Sequence, residues 1–265
     1  LGGDDITGSD DHVGRFIPEH FELSILSEGQ FSALCTADPA AIVDMPFVYS
    51  GQMDMQTSTQ GMLQYAVTTD SPGAINPSFL ITAKSAICPA GNCTTTQNYT
   101  GDFMKLLFSG VDRVIPTSDT SRLGKDAINL VNLTTSFEDV VLNEASGEIT
   151  FIYHDDDHYA YNHEENSEIG PFIADINLTI NSVVDADGVV AIDADGDPLN
   201  TSVLTLNPIG KEMRFGRAYL ENSFGPETSD LPQTLFVQYL DASNSYVPTT
   251  DDVCSQYNVA SVSLS

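Results

Sequence analysis

Seven stretches of this chain alternate apolar and polar side chains with a period of two, and that pattern admits few folds. They are HFELSIL (20–26), GMLQYAV (61–67), SFLITAKSAI (78–87), GEITFIY (147–153), PFIADINLTI (171–180), RFGRAYLE (214–221) and TLFVQYL (234–240). Successive side chains of an extended strand point to opposite faces, so each run would bury one face of a sheet. Their β-branched and aromatic residues suit that surface. Gly, Pro, Asn and Asp separate them at strand-and-turn spacing. No window keeps an i, i+3, i+4, i+7 apolar pattern beyond two turns, although FSALCTADPAAIVDM (31–45) is expected to hold one short helix before Pro46. A length of 265 residues suits two domains or one large all-β domain. The expected fold class is therefore all-β, as tandem immunoglobulin-like β-sandwiches.

The acidic tract HDDDHYAYNHEENSEIG (154–170) lies between two groups of strands and suggests a boundary near residue 155. This gives a larger N-terminal sandwich over 1–155, with a linker-like stretch at 1–11, and a smaller second sandwich over 156–265. The chain finishes on NVASVSLS, a strand pattern, so the second sandwich is expected to be incomplete at its C-terminus.

Charge narrows the function. There are 38 Asp and Glu against 9 Lys and Arg, a formal charge of −29. Such a chain repels phosphate backbones, which argues against nucleic acid as a partner. It has no basic cluster for an anionic lipid surface, and no run reaches the roughly 18–20 apolar residues of a membrane span. No Lys or Arg lies between Lys125 and Lys211, a stretch that carries 17 acidic residues. Salt, bound cations or solvent exposure must relieve their repulsion, as a salty extracellular setting would.

Cys88 and Cys93 bracket the turn-rich PAGN and are expected to form a disulfide, which fits an oxidising compartment. The Cys-x4-Cys spacing makes a poor zinc half-site without a second pair. Cys35 and Cys254 are the remaining candidate pair, across the fold, and the residues alone leave their pairing open.

VVDADGVVAIDADGDPLN (183–200) places Asp185, Asp187, Asp193, Asp195 and Asp197 at alternating positions with turn glycines, hard oxygen donors of the kind calcium takes. It is not an EF-hand loop. Counted from Asp193, position 6 is Pro198 and position 12 is Leu204, where Gly and a bidentate Glu belong. The competing reading is two acidic hairpin turns, because Asp-Gly is a common turn dipeptide. His154, Asp155, Asp156, Asp157, His158, His163, Glu164 and Glu165 form a second cluster. It reads as a solvated loop, since it lacks the helix that would align the histidines and the Glu base of H-E-x-x-H. Tyr153, Tyr159 and Tyr161 beside it read as core or edge packing more readily than as a sugar platform. No G-x-S-x-G elbow or phosphate loop is present, and nothing around Cys35 would lower its pKa. The expectation is that the chain is not an enzyme.

Several segments together resemble a known family. VGRFIPEHFEL (13–23), FVYSGQ (47–52) after Cys35, ITAKSAICPAGNCTTTQNYTGDFMKL (81–106), DADGV (185–189) and KEMRFGRAYLENSFGPETSDLPQTLFVQYLDASNSYVPTTDDVC (211–254) follow in the order seen in the C-terminal domain of unknown function of the MSHA-pilus biogenesis protein MshQ and its relatives. RFGRAYLENSFG followed by a Leu-Pro strand and T-D-D-x-C is the most specific part. The resemblance implies a secreted or envelope-exposed bacterial protein linked to type IV pili, and it carries over no catalytic residues. The expected function is a non-enzymatic extracellular structural or adhesin-like module at the cell surface. Calcium is the expected cofactor, if any. Expected partners are pilus or cell-surface components and further copies met through an exposed strand edge. The alternatives are a calcium-dependent glycan-binding adhesive module and a secreted hydrolase.

Overall fold

The structure is a computed structural model that describes residues 17–37, 41–51, 63–65, 76–89, 92–114, 128–131, 137–143, 147–153, 157–161, 168–174, 176–192, 204–226, 228 and 230–255. In chain order its strands begin with β1 (His20–Ser27), β2 (Leu34–Ala37), β3 (Ala41–Asp44), β4 (Phe47–Tyr49), β5 (Leu63–Gln64) and β6 (Ser78–Lys84). Then come β7 (Val111–Val114), β8 (Ile128–Val131), β9 (Phe137–Asn143), β10 (Glu148–Tyr153), β11 (His158–Tyr161) and β12 (Phe172–Ile173). The last are β13 (Leu178–Val183), β14 (Leu204–Leu206), β15 (Glu212–Arg214), β16 (Gly216–Leu220), β17 (Leu235–Leu240) and β18 (Tyr246–Pro248). Short 3-10 turns lie at Gly101–Phe103 and Phe108–Gly110. The protein is all-β and sandwich-like, and each of the seven alternating stretches contains a strand.

The largest sheet, β1-β6-β10-β9, shows why the alternation works. Its register sets Phe21 opposite Ala83, Leu23 opposite Ile81 and Ile25 opposite Phe79, and Ile81 and Phe79 opposite Ile149 and Phe151. Apolar side chains therefore share one face. Phe21, Phe79, Ile81, Ile149 and Phe151 are buried there, while His20, Glu22 and Lys84 share the other face. The buried face meets an aromatic layer. Phe31 stacks on Tyr65 at 5.3 Å, and Tyr65 meets Tyr153 and Tyr159 edge-on at 6.3 and 5.7 Å. Such pairs add about 0.5–1.5 kcal/mol each beyond the area they bury.

Residues 31–45 depart from the expected short helix: β2 and β3 form an antiparallel hairpin there, pairing Leu34 with Asp44 and Thr36 with Ile42. Pro39 would interrupt an α-helix at its middle, while Thr36, Ile42 and Val43 are β-branched and stiff. The Asp44 carboxylate accepts from the Ala33 N–H at 2.7 Å and fastens the hairpin's open end.

Three sheets draw strands from both sides of residue 155: β5-β11-β8, β12-β15-β4 and β14-β13-β7. The β15–β4 pair is parallel, a crossover between distant parts of the chain. Beyond Phe215 the same extended run continues as β16 and enters a separate three-stranded sheet, β16-β17-β18.

Candidate functional site

A dense set of charged and aromatic contacts lies where β15 becomes β16. Arg214, on the last residue of β15, is buried. Its guanidinium lies 3.9 Å from the Phe47 ring centre on β4 and 4.3 Å from that of Tyr239 on β17. It therefore bridges the body of the protein and the β16-β17-β18 sheet through two cation–π faces. Its Nη1 and Nη2 donate to both oxygens of Asp251 at 2.8 and 3.0 Å, and its Nε donates to Glu212 at 2.5 Å. Burial alone would depress the guanidinium pKa, but the Asp251 and Glu212 bonds outweigh it and hold the charge. The same bond from Arg214 holds Asp251 below the ordinary carboxylate range.

Asp252 faces the other way. One oxygen accepts from the Cys254 and Ser255 N–H groups at 3.0 and 2.8 Å, and the other from the Tyr49 hydroxyl at 3.0 Å. Burial would push Asp252 up, but the Ser255 and Cys254 hydrogen bonds bring it below its usual value. Burial raises the Tyr49 phenol in turn. Cys254, two residues on, is joined to Cys35 on β2, a bridge across 219 residues of chain. A Cβ on Gly216 would come within 2.5 and 2.7 Å of Tyr49 ring carbons, so the ring lies where only glycine leaves room. Lys211 completes the joint, donating to Asp44 at 2.6 Å and to the Met45 carbonyl at 2.7 Å.

The R-F-G and D-D-x-C motifs thus meet in one place, and each polar residue in them has a structural partner. The arrangement links β4 and β15 to the β16-β17-β18 sheet. Its carboxylates face an arginine, a phenol and main-chain N–H groups.

The aspartates proposed for calcium are placed as follows. Asp185 is buried; one oxygen accepts from the Asp187 and Val189 N–H groups, both at 2.9 Å, and the other from the Tyr99 hydroxyl at 2.7 Å. With Gly188 at φ 81°, this is an Asx-type turn clamped to the core by Tyr99. Asp187 is exposed at its tip, and Asp193, Asp195 and Asp197 lie outside the described residues. In the second acidic tract, His154, Asp155, Asp156, His163, Glu164 and Glu165 also lie outside them. Asp157 is fully buried and accepts from Arg113 Nη2, while His158 Nε2 lies 3.0 Å from Gln64 Oε1. Burial would lower the Arg113 pKa, but Asp157 more than restores it. Tyr153, Tyr159 and Tyr161 are completely buried in the core.

Cys88 and Cys93 are joined in a disulfide, and no free cysteine remains. One metal-compatible group forms among the described residues and has no sequence signature: His20, Glu22 and Cys93 hold ligand atoms within 4.8 Å of one another. The β1–β6 register makes it by setting His20 opposite Lys84. The disulfide occupies the Cys93 sulfur, and the Lys84 ammonium sits 3.2 Å from Glu22, so a cation is already in place there.

Comparison with known families now has a structural counterpart. The model of the third domain of DUF6701 matches residues 1–204, and that of its fourth domain matches residues 214–265. The chain belongs to the DUF6701 family. Arg214 stands at the first matched residue of the fourth domain, so the joint lies where the two family domains meet. No curated protein and no solved structure matches the chain. Among the described residues no helix is long and apolar enough to cross a membrane, and the two disulfides fit an oxidising compartment.

Proposed function

We propose that this DUF6701 chain is a non-enzymatic structural module of an extracellular or cell-surface protein, two consecutive domains that transmit load and hold a fixed angle. The observation that carries the reading is the joint. A buried arginine is shared between an aromatic ring of each domain, and a disulfide between Cys35 and Cys254 ties the far end of the fourth-domain segment back to the third. Sites that bind or react keep their polar groups available. Here the charges of Arg214, Asp251 and Asp252 are spent on one another and on the backbone.

The resemblance to MshQ and its relatives supports a pilus-associated setting, with pilus or cell-surface components as partners and contact between copies through an exposed strand edge. The charge of −29 keeps such a module dispersed in salt water. Calcium taken up by the acidic turns would add stiffness, with the exposed Asp187 as a first contact. The test is a glycan array run with calcium, beside a panel of polysaccharide and peptide hydrolase substrates. The module reading expects neither binding nor turnover. Saturable binding to one glycan class would replace it with the adhesive reading, and turnover would replace it with the hydrolase.

A further inference from the structure

The β16-β17-β18 sheet has two edges, and they are treated differently. In β18 the outward-facing residues are Tyr246 and Pro248, and Pro248 has no N–H to offer a new strand. In β16 the Leu240 N–H bonds the Phe215 carbonyl and the Glu221 N–H bonds the Thr234 carbonyl, so odd-numbered residues pair with β17. The main-chain groups of Gly216, Ala218 and Leu220 consequently point away from the sheet. Among the described residues no strand pairs with that edge. Arg217, Ala218, Tyr219 and Leu220 are all exposed, the last two by 41% and 45%. No proline or lysine protects the strand.

The sequence of this edge, Gly216-Arg217-Ala218-Tyr219-Leu220, complements its own reverse. We propose that β16 pairs antiparallel with β16 of a second copy of this chain, about a two-fold axis through Ala218. This rests on the reading of the chain as an assembling surface module. In that register Ala218 faces Ala218, Gly216 faces Leu220, and Arg217 faces Tyr219 on each side. Each guanidinium meets a phenol ring on both sides of the axis, so both halves of the contact are satisfied at once, as a two-fold interface requires. Arg217 suits the role. Among the described residues it has no carboxylate partner; its Nε and Nη2 both donate to Gln238 Oε1, and it already stacks on Tyr246 at 3.4 Å. Ala218, Leu220, Leu235 and Val237 share the opposite face of the sheet, and pairing would make that apolar strip continuous across the axis.

Electrostatics favours this place for contact between like copies. A chain of charge −29 repels its twin over most of its surface, yet FGRAYL (215–220) contains no acid and one arginine. Dimerisation therefore strengthens as salt screens the remainder, the reverse of a contact built on ion pairs.

Sedimentation of the protein as it stands, across a wide concentration range at low and high salt, reads the mass directly. The expected result is a shift from 28.5 kDa to twice that value, at lower concentration in high salt. Two variants fix the register. Ala218→Cys places the new sulfurs on a hydrogen-bonded pair whose Cα atoms are about 5.5 Å apart, within disulfide range. It is expected to give a covalent dimer on mild oxidation, whereas Ser243→Cys at the exposed β17–β18 turn gives none. Ala218→Pro removes only an outward N–H and is expected to weaken association at least tenfold with no change in melting temperature. A monomer at every concentration and salt, or a dimer unaffected by Ala218→Pro and not captured by Ala218→Cys, overturns the proposal. The module reading fails separately, through glycan binding or turnover by the monomer.

Discussion

The two disulfides close loops of very different length, and their removal should separate accordingly. In the chain-entropy description a cross-link stabilises by restricting the unfolded chain, more so the longer the loop it closes. Cys35 and Cys254 are 219 residues apart, Cys88 and Cys93 only 5. The same relation gives about 5 kcal/mol for the long bridge and about 2 kcal/mol for the short one. The long bridge also anchors Cys254 beside Asp252, whose bonds to the Cys254 and Ser255 N–H groups and to Tyr49 depend on that segment staying in place. The Cys35→Ser/Cys254→Ser variant should therefore lose at least twice the stability lost by Cys88→Ser/Cys93→Ser. Urea unfolding followed by tyrosine fluorescence is suitable, because the chain has ten Tyr and no Trp. Limited proteolysis of the folded variants should show the Cys35/Cys254 variant cut first within residues 214–255. Equal losses, or a larger loss from the short loop, would refute the argument that the long bridge fastens the fourth-domain sheet to the body.

Gly216→Ala should cost about 1–3 kcal/mol in wild type, because the new Cβ overlaps the Tyr49 ring; thermal melting should find it nearly neutral in a Tyr49→Ala background. Asp185→Ala should cost about 2–4 kcal/mol in a chemical melt, since it strips partners from the Tyr99 hydroxyl and the Val189 N–H together. For pH, the Asp251 and Asp252 values are lowered in the folded protein. Their contribution is therefore complete above the unfolded carboxylate value of about 3.9 and is lost as pH falls through the lower folded values. Relief of repulsion among the other carboxylates acts in the opposite direction, so the comparison must be made against Arg214→Met. Below about pH 4 the wild type should lose more stability than that variant, in which Asp251 has no arginine to hold its pKa down.

Much of the architecture was legible because a period of two is a local property. The runs at 20–26, 78–87 and 147–153 form β1, β6 and β10, which set Phe21, Leu23, Ile25, Phe79, Ile81, Ile149 and Phe151 on one face. The helix expected over 31–45 rests on Ala, Leu and Met with helix propensity, whereas the hairpin is decided by pairing and by the Asp44 bond to Ala33. The joint was invisible for a different reason. Arg214 meets residues at 47, 239 and 251, and no local pattern marks contacts so far apart. The acidic tract at 154–170 suggests a boundary near residue 155 through its polarity, and local polarity does not reveal that it contains the fully buried Asp157 facing Arg113. The family domains meet between 204 and 214, where composition changes little. The tyrosines beside the tract similarly lie in the core, because a ring alternating along β10 and β11 packs inward as readily as phenylalanine.

The central claim is that the third- and fourth-domain segments are held at one angle by the Arg214 and Cys35–Cys254 joint. Electron–electron resonance between noncanonical spin labels at Ser24 on β1 and Ser243 beyond β17 measures it directly. The account predicts one narrow distance distribution in the untreated protein that broadens when Arg214→Met is combined with reduction. A broad distribution in the untreated wild type, or one that narrows only when calcium is added, would contradict it.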